Sequence, residues 1–310
     1  MATFSARAGS IDRGKGEFWT YDMSTLTSIM GFDVNLSGSV TYTYEGQSTV
    51  IVGGVEHSAN YLSSEGSLKG SVVVLGQTLG SAEVSLAGAE YELSGTIGVL
   101  VENLTSMTAV TFGAGLTSFT YHLQVQTTVT TDPPALGEFD PESALLGSQW
   151  TQTSAVSSTV VDYEDGAVVN TTADSTTVTY TANVASSQEQ LDTPAGTFET
   201  MRVEVSDGQG NYELLWWASD ANNLVRHEVH KNDSSAPVLT KILTDYGTRS
   251  PTSMMLFAVV GGVVFVVAVV ALVLAFRNRL RRPKTPVAEP GTPYDFEAQS
   301  SDVSDGNSIR

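Results

Sequence analysis

The chain has 310 residues, with 15 Lys and Arg against 34 Asp and Glu, and no cysteine. A net charge of −19 repels phosphate backbones and excludes nucleic acid as a partner. Without cysteine the chain has no disulfide framework and no thiol nucleophile, a composition that suits a prokaryotic surface better than a eukaryotic one.

Residues 1–15 read as a flexible N-terminus, and residues 1–24 contain no apolar stretch of signal-peptide type. The expectation is therefore a mature or truncated form, or a start chosen downstream of the natural one. Residues 16–131 form a β-rich first half. Val40, Tyr42 and Tyr44 alternate with Thr41 and Thr43, and Tyr91 and Leu93, with Ile97 after the Gly95 break, follow the same period. In 117–127, Phe119, Tyr121, Leu123 and Val125 share one face, opposite Thr120, His122, Gln124 and Gln126. Period two in β-branched and aromatic residues, broken by Gly-rich turns, describes half-buried strands.

Asp132-Pro133-Pro134 opens the expected linker, 132–146, in which 140–147 could make one helical turn. The second β-rich half, 147–248, begins with Gly-x-x-Trp-Thr, as does the first at Gly16. That echo leaves open whether the halves are a duplication or one continuous curling sheet.

The second half carries Leu191-Asp192-Thr193-Pro194-Ala195-Gly196-Thr197-Phe198, then a strand at Met201–Val205. The pair Trp216-Trp217 follows, then a turn at Ser219–Asn223 and a strand at Leu224–Val229. Pro194 ends a strand, Gly196 bends the backbone, and Phe198 folds back under the sheet. Adjacent tryptophans on a strand must face opposite ways. The pattern resembles a widespread family of envelope and surface β-domains, mostly of unknown function. Its mark is an apolar residue, Pro-Ala-Gly-Thr-Phe, a strand, an aromatic pair, a turn and a valine-rich strand. The resemblance implies a curved antiparallel half-barrel similar to bacterial lipoprotein carriers. The chain departs from the pattern at Thr193, Trp217 and Asn222-Asn223. Asn tolerates left-handed geometry, so the last change is mild.

Residues 254–276 are 23 apolar residues with no charge. At about 1.5 Å per residue such a helix crosses a hydrocarbon core of about 30 Å. Arg277, Arg279, Arg281, Arg282 and Lys284 follow at once and fix the orientation, with the tail 277–310 cytoplasmic and the β-rich part outside. Ala258-x-x-x-Gly262 and Ala271-x-x-x-Ala275 could pair two such helices into a homodimer. The tail, poor in apolar residues, is expected to be disordered. The fold class is thus all-β, an antiparallel curved sheet or half-barrel outside the membrane plus one C-terminal transmembrane helix.

Catalytic candidates are thin, and no enzyme activity, cofactor or metal centre is expected. His227-Glu228-Val229-His230 places its histidines on opposite faces of a strand. Asp162-Tyr163-Glu164-Asp165-Gly166 lacks the spacing of a calcium loop. Asn35, Asn103, Asn170 and Asn232 begin glycosylation sequons. Residues 1–276 hold nine bases against 29 acids, and between Lys69 and Arg202 there is no base but fifteen acids. Such a surface suits salty surroundings and attracts cations. The expected role is a membrane-anchored surface module. It would either hold a lipid or other apolar ligand on a concave face carrying Tyr42, Phe119, Tyr121 and Trp216, or serve adhesion and envelope structure with a solid core.

Overall fold

The computed structural model describes residues 11–249, apart from 12, 30, 75–76, 115–116, 138, 142–143, 165 and 233. The apolar run 254–276, the basic cluster Arg277, Arg279, Arg281, Arg282 and Lys284, and the tail lie outside the described residues.

Twelve antiparallel strands close into one barrel, each paired with its neighbour in the chain and the first paired with the last. They are β1 (Glu17–Ile29), β2 (Phe32–Val52), β3 (Val55–Val74), β4 (Gln77–Leu93), β5 (Val99–Ala114), β6 (Thr117–Asp132), β7 (Gln149–Glu164), β8 (Ala167–Thr193), β9 (Gly196–Ser206), β10 (Tyr212–Ala218), β11 (Asn223–His230) and β12 (Leu239–Thr248). The half-barrel expectation is corrected in one respect. Glu17–Thr25 pair with Leu239–Thr248, so the sheet has no opening between its first and last strands. One continuous ring runs through both sequence halves, and the turns alternate between two ends. At the base, where β1 begins and β12 ends, the Arg249 N–H donates to the Gly16 carbonyl at 2.8 Å.

Inward positions follow the period-two pattern. Tyr21 and Met23 of β1, Val34, Leu36 and Val40 of β2, and Leu68 and Val72 of β3 are buried together. Small residues let the wall curve here. A Cβ on Gly38 would lie 2.0 Å from the Ser67 carbonyl oxygen of the paired strand, so only glycine allows this close approach. A second cluster joins Val203, Val205, Leu215 and Trp217 to Ile97, Leu136 and Phe139 from the base loops.

Residues 133–148 therefore do more than link. Phe139 is buried and stacks on Trp150 at 5.8 Å between ring centres, so the segment covers the base. Among its described residues, an α-type bond runs from the Ala144 N–H to the Asp140 carbonyl, 2.9 Å. In the Pro-Ala-Gly-Thr-Phe hairpin, Gly196 has φ 142° and Phe198 is buried, as the sequence predicts. Asn222 takes the left-handed turn position with φ 50°. Strand lengths are unequal, and β8 pairs with β9 only from Thr181 onward.

Candidate functional site

The barrel interior is not apolar throughout. Glu90 and Glu92 of β4 point inward, while Tyr91 between them packs in a different cluster with Leu93, Val52 and Leu100. Glu102 of β5 lies directly opposite Glu90 in the ladder and is also buried. Alternation puts the two β4 glutamates on one face, and the register brings Glu102 onto it.

Counter-charges come from the two ends of the chain. Arg13, just ahead of β1, is buried, pairs with Glu92, and lies 5.0 Å from the Trp19 ring centre. Lys241 of β12 donates to the Tyr42 hydroxyl at 2.8 Å, and that hydroxyl hydrogen-bonds the Glu90 carboxylate. His227 Nε2 meets Glu213 Oε2 of β10 at 2.8 Å. The Tyr21 hydroxyl donates to the Leu224 carbonyl at 2.7 Å.

Of these groups, Glu90, Glu92, Glu213, His227, Lys241 and the hydroxyl-bearing Tyr21 and Tyr42 border a cavity of about 200 Å³ in the half of the barrel nearer the base, while Glu102 and Arg13 are not part of its lining. Glu90, Glu92 and Glu213 give it acidic sides, and Leu62, Leu136, Val205 and Leu215 an apolar wall. Several buried polar atoms have no hydrogen-bond partner, among them Glu90 Oε1, Arg13 Nε and Nη2, Asn60 Nδ2 and Ser64 Oγ. Burial pushes Glu90 up to about 7, because a carboxylate deep in the barrel is poorly solvated; Lys241 opposes the shift and Glu92 adds to it. Burial, and then the Glu90 charge, hold Glu102 well above the usual carboxylate range. Burial draws Lys241 down, against its acidic neighbours.

Of the four aromatic candidates for a concave site, only Tyr42 lines this cavity. Trp216 and Trp217 belong to different clusters, as their alternation requires. Trp216 Nε1 donates to Glu189 Oε1 at 3.2 Å, with Arg226 stacked 5.1 Å from its ring centre. Phe119 is 65% exposed near the end opposite the base, stacked on Phe112 at 5.1 Å. Phe119 was placed on the inner face by alternation, but it sits where the β5–β6 hairpin runs past its neighbour. β6 meets β7 only from Gln124 onward. Tyr121, on the same stretch, is half-buried.

The other sequence candidates stay apart. His230 bonds the Ser234 carbonyl at 3.0 Å and Glu228 at 3.2 Å, away from the Glu213 partner of His227. Asp162 is buried and accepts from Asn170 Nδ2 at 3.1 Å, so this sequon asparagine is engaged within the barrel. Asn103 accepts from Thr128, while Asn35 and Asn232 are exposed. The glutamate cluster escaped the sequence reading because Tyr91 and Leu93 looked like the buried face of β4. The available signal was a pair of glutamates two apart in a stretch without any Lys or Arg.

Comparison of the chain with known protein families, curated proteins and solved structures finds no match.

Proposed function

We propose that this chain is a membrane-tethered surface barrel that works as a non-enzymatic binding module, with a small polar ligand held inside the barrel. The observation that carries this reading is the interior cavity, where ionisable groups from seven strands, most of them buried, line space left unfilled. A core that served stability alone would fill that space with aliphatic side chains, because buried charge is costly. The likeness to lipoprotein carriers suggested a lipid, but the cavity offers little to one. Its volume of about 200 Å³ is below the roughly 300–1,000 Å³ of ordinary ligand pockets, and Glu90, Glu92 and Glu213 interrupt its apolar wall.

Tethering draws support from the sequence. The apolar run 254–276 begins five residues after Arg249, which leaves the barrel at its base. Exposed aliphatic residues do not single out this end, since Ile51, Val55, Leu145 and Leu146 at the base are matched by Val73, Leu79, Val168 and Val169 at the other. The alternative, an adhesion or envelope-structure role, is favoured by one feature, the exposed Phe119 stacked on the half-buried Phe112.

Native mass spectrometry of the full-length protein, released from membranes in mild detergent, tests the binding role. A stoichiometric polar adduct supports it. A lipid seated in the barrel restores the carrier reading, and a clean apo mass with no uptake of added ligands favours the structural one. Protease treatment of intact cells tests the tether, since only an outward barrel is cut or shed.

A further inference from the structure

We propose that the interior cavity is a site for a small organic cation, an ammonium group on a short apolar body. Glu90 receives the ammonium, Glu102 stands directly across the ladder from it, and the Leu62, Leu136 and Leu215 wall receives the body. This assignment rests on the reading of the barrel as a binding module and names the class of its ligand.

Charge makes the first argument. Glu90, Glu92, Glu102 and Glu213 face the interior, against two basic side chains, Arg13 and Lys241. Arg13 is taken by Glu92, and His227 by Glu213. Lys241 alone is left to offset both Glu90 and Glu102, so the region lacks one positive charge. Like charges set opposite each other in a ladder repel, and low surrounding polarity strengthens the repulsion. A cation held on Glu90 from the cavity side relieves it.

Hydrogen bonding makes the second. Glu90 is 7% exposed, borders the cavity, and its Oε1 has no donor. A buried carboxylate oxygen without a partner is expensive, and an ammonium N–H placed in the cavity would satisfy it. The wall opposite decides between kinds of cation. A hard metal ion asks for six or more oxygens, whereas half of this lining is aliphatic. Among the described residues no group of three His, Asp or Glu is arranged to hold a metal.

A proton competes with the cation for these carboxylates. Burial raises both Glu90 and Glu102, so the pair retains protons that a ligand cation would displace. The groups facing them are Tyr21 of β1, Tyr42 of β2, Glu92 of β4, Glu213 of β10, His227 of β11, Lys241 of β12 and Arg13. Of these, Lys241, drawn down by burial, loses positive charge as pH rises, which strengthens the attraction for a cation. Affinity should therefore fall in acid.

The test is calorimetric titration of the full-length protein in detergent with butylammonium chloride, and separately with potassium chloride, 1-butanol and sodium butyrate. The expected result is one saturable site for butylammonium at about pH 8, weakened at least about tenfold at about pH 5.5 and by Glu90→Gln. Leu136→Phe, which fills the apolar half and leaves every charge in place, should weaken it as well. Equal affinity in wild type and Glu90→Gln, or competition by potassium at equal concentration, overturns the proposal. Binding of butanol or butyrate in place of butylammonium keeps the cavity as a site but rejects the cation. No binding of any probe, together with an adduct-free native mass, rejects the binding module itself.

Discussion

Glu90 and Glu102 stand directly opposite each other on β4 and β5, both buried, with Lys241 as their shared counter-charge. Cross-strand neighbours sit about 5 Å apart at Cβ, too close for two desolvated negative charges to coexist without help.

Stability should therefore fall as pH rises through the neutral range. Glu90 binds its proton more tightly folded than unfolded, since burial moves it from 4.5 to about 7. Between those values the folded state holds more protons, and unfolding becomes easier with rising pH. Glu90 alone accounts for a loss on the order of 3 kcal/mol across that window. Urea denaturation from about pH 5 to about pH 8 should show it, and Glu90→Gln should flatten the slope. A stability that climbs over this range would mean that Glu90 is already ionised and compensated.

Arg13 belongs to the barrel although it precedes the first strand. Arg13→Ala leaves Glu92 buried with no cation and should destabilise by about 3–5 kcal/mol. The double variant Arg13→Met with Glu92→Met should recover most of that loss, because paired removal of buried charges is close to neutral. Chemical denaturation of the three proteins gives the comparison. A single variant as stable as wild type would place Arg13 outside the folded unit.

Close backbone approach predicts a sharp contrast between two glycines. Gly38→Ala sets a methyl group 2.0 Å from the Ser67 oxygen and should cost at least about 2 kcal/mol by forcing β2 and β3 apart. Gly113→Ala meets nothing within 4 Å and should change stability by less than about 0.5 kcal/mol. Thermal melts distinguish them, and equal melting points would deny the tight β2–β3 packing.

The paired tryptophans should respond unequally to the same replacement. Trp216→Phe breaks the bond to Glu189, a charge-assisted contact worth about 1.5–3 kcal/mol. Trp217 Nε1 is buried without a partner, so Trp217→Phe removes an unmet donor and loses only packing. The first substitution should lower the denaturation midpoint more than the second. The reverse order would mean that Glu189 does not hold Trp216.

Period two was enough to find the all-β class and several of the strands, because side-chain alternation is a local property that each stretch carries by itself. The hairpin around Gly196 and the left-handed Asn222 were legible for the same reason. What alternation leaves open is which face of a strand looks inward. In β4, Tyr91 and Leu93 mark the period correctly, yet Glu90 and Glu92 take the interior. That choice depends on Arg13 and Lys241, which arrive from opposite ends of the chain. Closure was hidden likewise, since nothing in Glu17–Thr25 announces a partner more than two hundred positions away. Phe119 shows the opposite limit. Its strand was recognised, but its exposure follows from β6 outrunning β7.

The pairing of β1 with β12 also sets an order of events during synthesis. Every other ladder joins strands adjacent in the chain and can form as a local hairpin, whereas this one must wait for Leu239–Thr248. Until then the first strand waits as a bare edge, open to pairing with any passing chain. The barrel's slowest step is thus its last. Truncation anywhere before β12 should release a sheet that aggregates in place of a smaller folded domain.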